Sequence, residues 1–158
     1  MPPIGKSSVK AVVSKRAPKA VGNYSAAVVA ECNQVLYVSG QIAIEMPKGN
    51  VFTGDIKRQA EIVMMNLKNI VQDAHFQMED IVKCTIYLTS MDNYEAVNEI
   101  YGKYFISRVF PARAVIGVAA LPKGVGVEID AVCVKKVETA TRGGGGGPVV
   151  IEEIEEKF

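Results

Sequence analysis

The stretch FPARAVIGVAALPKGVGVEIDAVCV, Phe110–Val134, decides the fold. Two apolar, β-branched runs, Ala114–Ala119 and Val125–Lys135, flank a connection containing Pro122 and Gly124. That is the pattern of two buried strands around a turn. Two residues break it. Arg113 stands at the mouth of the first strand and Glu128 lies inside the second. Pro111 disfavours helix just before Arg113 and pins the entry to the strand. A guanidinium keeps its charge and is costly to bury alone. Its planar fork matches a carboxylate through two parallel hydrogen bonds. Arg113 therefore calls for an anion, either an acid of the protein or an acid of a ligand. In the second strand Val127, Ile129, Ala131 and Cys133 face one way, and Glu128, Asp130, Val132 and Val134 the other. A tight hairpin centred near Lys123 would set Glu128 opposite about Ala119, leaving Arg113 about 20 Å away along the strand. A simple intrachain ion pair is not favoured. If the two share a site, the connection is no simple hairpin or they come from different subunits.

Upstream, Val9–Ser14 reads as a first strand. Ala26–Ala30 and Val35–Ser39 read as a hairpin around the turn ECNQ. Asp55–Ala74 is the clearest helix: Ile56, Ala60, Val63, Met64, Leu67, Ile70, Val71 and Ala74 recur at helical spacing, with Thr53 or Asp55 available as a cap. Ile81–Thr89 alternates as a strand. Asp92 and Glu95 resemble a capping box for a second helix reaching about Phe105. The apolar stripe of that helix holds Tyr94, Val97, Tyr101 and Phe105, and Asn98 falls on it. This order of elements predicts an α+β domain, with one mixed sheet and two helices on one face. The other sheet face, left open, would expose too much Val, Ile and Ala for a monomer, so self-association through the sheet is expected.

The chain has 158 residues, 49% apolar and 22% charged, which suits one globular domain. No apolar run approaches the ~20 residues that span a bilayer. The formal net charge of +1 gives no electrostatic case for nucleic acid. The charge is uneven, however. Residues 1–19 carry five basic side chains and no acid, while 143–158 carry four Glu and one Lys. The basic start could be a mitochondrial presequence, but Pro2, Pro3 and the alternation in SVKAVVSK argue against a cleavable helix, and a cytoplasmic location is expected, with a mitochondrial one as the alternative. The three cysteines are scattered and the histidine is single, which favours neither disulfides nor a metal site. Residues 1–140 are read as the domain. The run GGGGG and the acidic VVIEEIEEKF make 141–158 a linker and tail.

Four further polar residues are candidates for a site. Tyr24 in GNYS and Ser39 in VSGQ stand at strand edges; Gly40 allows close approach of backbone to a ligand; Asn98 is an amide on a helical stripe. Each also has a plain structural reading, as turn residues or as a satisfied core amide. Neither a nucleophile–base dyad nor a phosphate loop is legible in the sequence. Catalysis would rest on Arg, Glu, Tyr, Ser, Asn and water.

The stretches APKAVGNYS, LYVSGQI, DIKRQAEIVMMNLKNI, DIVKCTIYLTSMDNYEAVNEIYGKYF and PARAVIGVAALPKGVGVEIDAV together resemble the reactive intermediate deaminase family (RidA, also YjgF) from about Ser8 to Val137. The resemblance implies a chorismate-mutase-like fold and a homotrimer with clefts between subunits. It implies hydrolysis of 2-iminoacids (2-iminobutanoate, 2-iminopropanoate) and their enamines to 2-ketoacids and ammonia, with no cofactor. It places the carboxylate-binding arginine on Arg113, the acidic residue on Glu128, and the tyrosine, serine and asparagine on Tyr24, Ser39 and Asn98. Where many relatives have Cys, this chain has Val115; GNY replaces GPY; Tyr24 to Ser39 is about two residues longer than usual; and the glycine-rich acidic tail is not a family feature. Two other functions remain open at this level: a regulatory trimer that binds small carboxylates without turnover, and RNA cleavage or translation inhibition, for which the basic N-terminus is the only support.

Overall fold

The computed structural model describes residues 9–12, 22–25, 27–30, 33–106 and 109–136. The tail expected over 141–158 lies outside the described residues. Ten elements follow in order: β1 Val9–Val12, β2 Ala27–Ala30, β3 Gln34–Gln41, β4 Ile44–Glu45, β5 Asn50–Val51, α1 Ile56–Asp73, β6 Ile81–Leu88, α2 Tyr94–Gly102, β7 Ala112–Gly117 and β8 Val127–Lys135. The architecture is α+β. A four-stranded mixed sheet runs β3–β8–β6–β7, with β7 parallel to β6 and the other pairs antiparallel.

Helix α1 starts where the Asp55 carboxylate accepts a hydrogen bond from the Arg58 amide at 3.0 Å, satisfying one of the donors a helix start leaves unpaired. Its stripe Ala60, Val63, Met64, Leu67 and Val71 is buried against Ile86, Leu88, Val127 and Ile129 of the sheet. Burying each such aliphatic side chain contributes about 1.5–3 kcal/mol. The opposite sheet face is open: Tyr37 is 77% exposed, Val35 46% and Ile116 43%. No helix among the described residues is long and apolar enough to cross a membrane.

Three local expectations are corrected. First, β2 pairs with β1 (Val9 opposite Ala30), and β3 pairs with β8, so Ala26–Ala30 and Val35–Ser39 do not form a hairpin. Turn residues between two strands allow a hairpin but do not choose the partner, and here each strand takes a partner distant in sequence. Second, β7 and β8 are not neighbours, because β6 lies between them. The connection crosses the end of β6: the Val118 amide donates to the Leu88 carbonyl and the Thr89 amide to the Gly126 carbonyl. Lys123 (φ 57) and Gly124 (φ 73) make its turn in the left-handed region. Third, α2 is not started by an Asp92–Glu95 capping box. Ser90 accepts from the Asp92 amide to open a short 3-10 turn, Met91–Asn93, and the α-helix follows.

Candidate functional site

Arg113 enters β7 level with Cys84 of β6, whose side chain is fully buried on the helix side. The parallel register therefore sends the guanidinium towards α2. There Nη1 donates to Asn98 Oδ1 at 2.7 Å and Nη2 to the Tyr94 hydroxyl at 3.2 Å. Three rings surround the cation, with Cζ 4.9 Å from the centroid of Tyr101, 5.4 Å from Tyr24 and 6.0 Å from Tyr94. Such contacts hold a guanidinium without neutralising it. Tyr24 is delivered by the segment 22–25, which lies along the start of β7: Ser25 bridges Ala112, its amide donates to the Pro111 carbonyl at 3.0 Å, and its hydroxyl donates to the Phe110 carbonyl. Asn23 Nδ2 reaches the Asn98 carbonyl at 3.4 Å.

Every hydrogen-bond partner of the Arg113 side chain here is neutral, and among the described residues no carboxylate pairs with it. Among the described residues, then, no acid of the protein answers Arg113.

Glu128 stands elsewhere. It pairs with Tyr87, three residues along β6 from the Arg113 level, and alternates with the buried Val127 and Ile129, so it faces the open side of the sheet. Its carboxylate lies across Gly40, where any Cβ would overlap it. Ser39 and Gly40 occupy a β-bulge, the register of β3 on β8 slipping between Val38 and Gln41. A bulge re-aims backbone and side chains locally. Beside Glu128, the Tyr87 hydroxyl donates to Asp130 at 3.0 Å, and that bond raises the tyrosine's pKa above its ordinary value.

The six sequence candidates therefore form two groups. Arg113, Asn98 and Tyr24 meet on the helix side at the β7 edge; Glu128, Ser39 and Gly40 meet on the open face. Along and across the strands the groups are separated by about 10 Å each way, and the sheet lies between them. Sequence reasoning assigned Tyr94 and Tyr101 to the core and missed their second role. Their signal was the helical spacing Tyr94, Asn98, Tyr101, which puts all three on the stripe that faces Arg113. The Tyr101 hydroxyl is buried beside the Cys84 thiol without a well-formed hydrogen bond among the described residues, and burial pushes both groups up, the thiol to about 12. Val115 is level with buried Ile86 and packs against the core, so it extends the apolar floor under Arg113.

The family model described as endoribonuclease L-PSP matches residues 14–135. The chain belongs to the RidA/YjgF family. It is 43% identical to protein DfrA of Myxococcus xanthus over 125 residues, which are 79% of this chain and 95% of that protein. It is 38% identical to the human 2-iminobutanoate/2-iminopropanoate deaminase over 130 residues, 82% of this chain and 93% of that one. Among solved structures, yeast Mmf1 matches with TM-score 0.62 at 38% identity, covering 81% of this chain and 99% of that chain. RidA from an Antarctic Psychrobacter matches with TM-score 0.61 at 34% identity, over 79% and 98%. The RidA/YjgF match ends with β8.

Proposed function

We propose that this chain is a cofactor-independent hydrolytic deaminase of 2-iminoacids, with a site completed where two copies meet. One observation carries the reading: Arg113 is aimed, caged by tyrosines and bonded to an amide and a phenol, yet its charge has no acidic partner among the described residues. A guanidinium so held suits a ligand carboxylate. The curated relatives named as deaminases act on small acids of this class.

In this reading Arg113 clamps the carboxylate and fixes the imine carbon, and Asn98 and Tyr94 fix the arginine. Glu128, presented on the open face of a neighbouring copy, holds a water. As the water oxygen bonds to the imine carbon, Glu128 takes its proton. The proton returns to the nitrogen to complete a carbinolamine; Glu128 then carries the hydroxyl proton to that nitrogen as the C=O bond forms and the C–N bond breaks, releasing ammonia and the 2-ketoacid. Ser39, Gly40 and Tyr24 shape the walls and position the substrate. Positioning supplies most of the gain, since the imine is already electrophilic. In this reading the half-sites on opposite faces of one sheet meet through association of copies, which is supported by the exposed Tyr37, Val35 and Ile116 that give the open face an apolar surface. The homotrimer with intersubunit clefts, and a cytoplasmic location, belong to the same proposal.

The test is release of ammonia and 2-ketobutyrate from 2-iminobutyrate generated in place by a threonine dehydratase. Acceleration by the wild type that disappears with Arg113→Ala supports the reading. A well-folded oligomer that binds 2-ketobutyrate but gives no acceleration would leave a carboxylate-binding protein in its place.

A further inference from the structure

The outer surface of the helix layer carries a groove with a mixed apolar and polar lining that the deaminase reading does not use. One lobe, about 680 Å³, lies between α1, the β4–β5 hairpin and the end of α2; a second, about 490 Å³, continues it towards the C-terminus of α1. Met65, Lys103 and Tyr104 line both lobes. Its apolar groups are unusually open: Ile106 is 88% exposed, Met46 71% and Met65 48%. Unbranched methionines suit a surface that accepts an apolar partner. Glu45, Glu61 and Glu79 also line the groove, but Glu45 and Glu61 are paired with Arg58, whereas Lys48 and Lys68 at the rim form no ion pair among the described residues.

We infer that this groove is the docking site of the chain's own C-terminal segment, Val149–Phe158. Three observations point to that occupant. The first is position. Strand β8 ends beside the second lobe, with Lys135 Nζ donating to the His75 carbonyl at 2.7 Å, and that lobe is lined by Gln72, Gln77 and Met78 on either side of His75. The second is length. Residues 137–148, with five consecutive glycines, separate β8 from the segment. A glycine-rich run of about twelve residues has an r.m.s. span of about 17–21 Å, a length that would keep the segment within reach of the groove at high effective concentration. The third is chemistry. Ile151, Ile154 and Phe158 fall at i, i+3 and i+7, with Val150 beside them, and Glu152, Glu153, Glu155, Glu156 and Lys157 occupy the other positions. That is the pattern of an amphipathic helix laid into a groove. Its acids would meet the lysine rim while its apolar stripe covers Met46, Met65 and Ile106. The segment also lies beyond the family match, which ends at residue 135. The inference is independent of the deaminase reading, because the groove contains none of Arg113, Asn98, Tyr24, Ser39, Gly40 or Glu128.

Hydrogen exchange followed by mass spectrometry on the full chain tests this, with wild type, Ile154→Asp and Met65→Glu compared. Met65 is half exposed and Ile154 lies outside the domain, so both variants are expected to fold; circular dichroism checks it. The expected result is amides of 149–158 exchanging at least about tenfold more slowly than an unstructured peptide, with the protection lost in both variants. Carbodiimide coupling is expected to join Lys68 or Lys103 to a glutamate of 152–156, within one chain when heavy- and light-isotope proteins are mixed. Tail amides that exchange at unstructured rates would overturn the inference. Protection that survives Met65→Glu would place the segment elsewhere, and coupling between heavy and light chains would make a second copy the donor; either outcome overturns the assignment to this chain's own groove.

Discussion

The Glu128 carboxylate lies across the α-carbon of Gly40, in the space a side chain at that position would need. A Cβ there would sit 2.7 Å from Glu128 Cδ and overlap Oε1. Gly40 is exposed and its φ is not in the left-handed region, so alanine itself is unstrained. Gly40→Ala should therefore displace the carboxylate without unfolding the domain. The expected result is a ten- to hundredfold fall in kcat for iminoacid hydrolysis, the usual cost of misplacing a catalytic group by about 1 Å, with little change in Tm. Thermal denaturation and steady-state kinetics on the same preparation check it.

The two hydrogen bonds on Arg113 differ in strength, and so should their removal. The 2.7 Å bond to Asn98 is short and charge-assisted; that to Tyr94, at 3.2 Å, is longer. Hydrogen bonds to charged groups contribute about 1.5–3 kcal/mol, so Asn98→Ala should lower kcat/KM about ten- to hundredfold. Tyr94→Phe keeps the ring and loses only the hydroxyl, and a three- to tenfold rise in KM with kcat nearly unchanged is expected, on the order of 1 kcal/mol. Equal effects from the two variants would mean that Asn98 and Tyr94 do not act through Arg113.

How much of this was legible beforehand follows from which rules are local. Alternation and helical spacing located α1, β6, β7 and β8 because one face of each is buried, and burial writes itself into sequence residue by residue. The faces of Arg113 and Glu128 were readable in the same way once strand neighbours were known. The neighbours were not readable. Nothing in ALPKGVG says that β6 will slide between β7 and β8, because that outcome depends on long-range pairing and on the Val118 and Thr89 amides finding partners at the end of β6. The tyrosine cage was hidden for another reason: Tyr94 and Tyr101 obey the core pattern while also serving Arg113, and a residue with two roles shows only the commoner one in sequence.

Asp80 is a buried carboxyl, 7% exposed, and burial raises its pKa above the ordinary value near 3.8 in spite of the hydrogen bond it accepts from the Gln77 amide at 2.8 Å. A raised folded-state value means that the native protein binds the proton more tightly than the unfolded chain. The stabilising effect of the neutral acid is thus fully present below about 3.8 and is lost as pH rises through the folded value. Asn can accept the same bond and carries no charge. Asp80→Asn should match the wild type near pH 3.5 and become the more stable of the two towards neutrality. Urea midpoints at several pH values between 3.5 and 7 test this; a variant less stable at pH 7 than at pH 4 relative to wild type would reverse the sign.

Burial pushes the thiols of Cys84 and Cys133 up to about 12. At pH 8 almost no thiolate exists at either site, and neither sulfur is accessible in the folded chain. Iodoacetamide should leave both unmodified in native protein and label both in denaturant, as read by peptide mass spectrometry. Native labelling of Cys84 would mean that the floor beneath Arg113 opens readily.

The separation of Arg113 and Glu128 onto opposite faces of one sheet makes a sharper demand than either single substitution. If a working site takes its arginine from one copy and its glutamate from the next, neither Arg113→Ala nor Glu128→Ala homo-oligomers hold a complete site. An oligomer assembled from both does: wherever a Glu128→Ala subunit offers Arg113 to the open face of an Arg113→Ala subunit, both residues are native. Random mixing of equal amounts in a cyclic assembly should restore about a quarter of the sites. Co-refolding the two inactive variants should therefore return activity towards that fraction, while mixing them without subunit exchange returns none. Recovery absent from verified hetero-oligomers would mean that one chain supplies both groups or that Glu128 is not the base, and the two are told apart by whether Glu128→Ala alone is inactive.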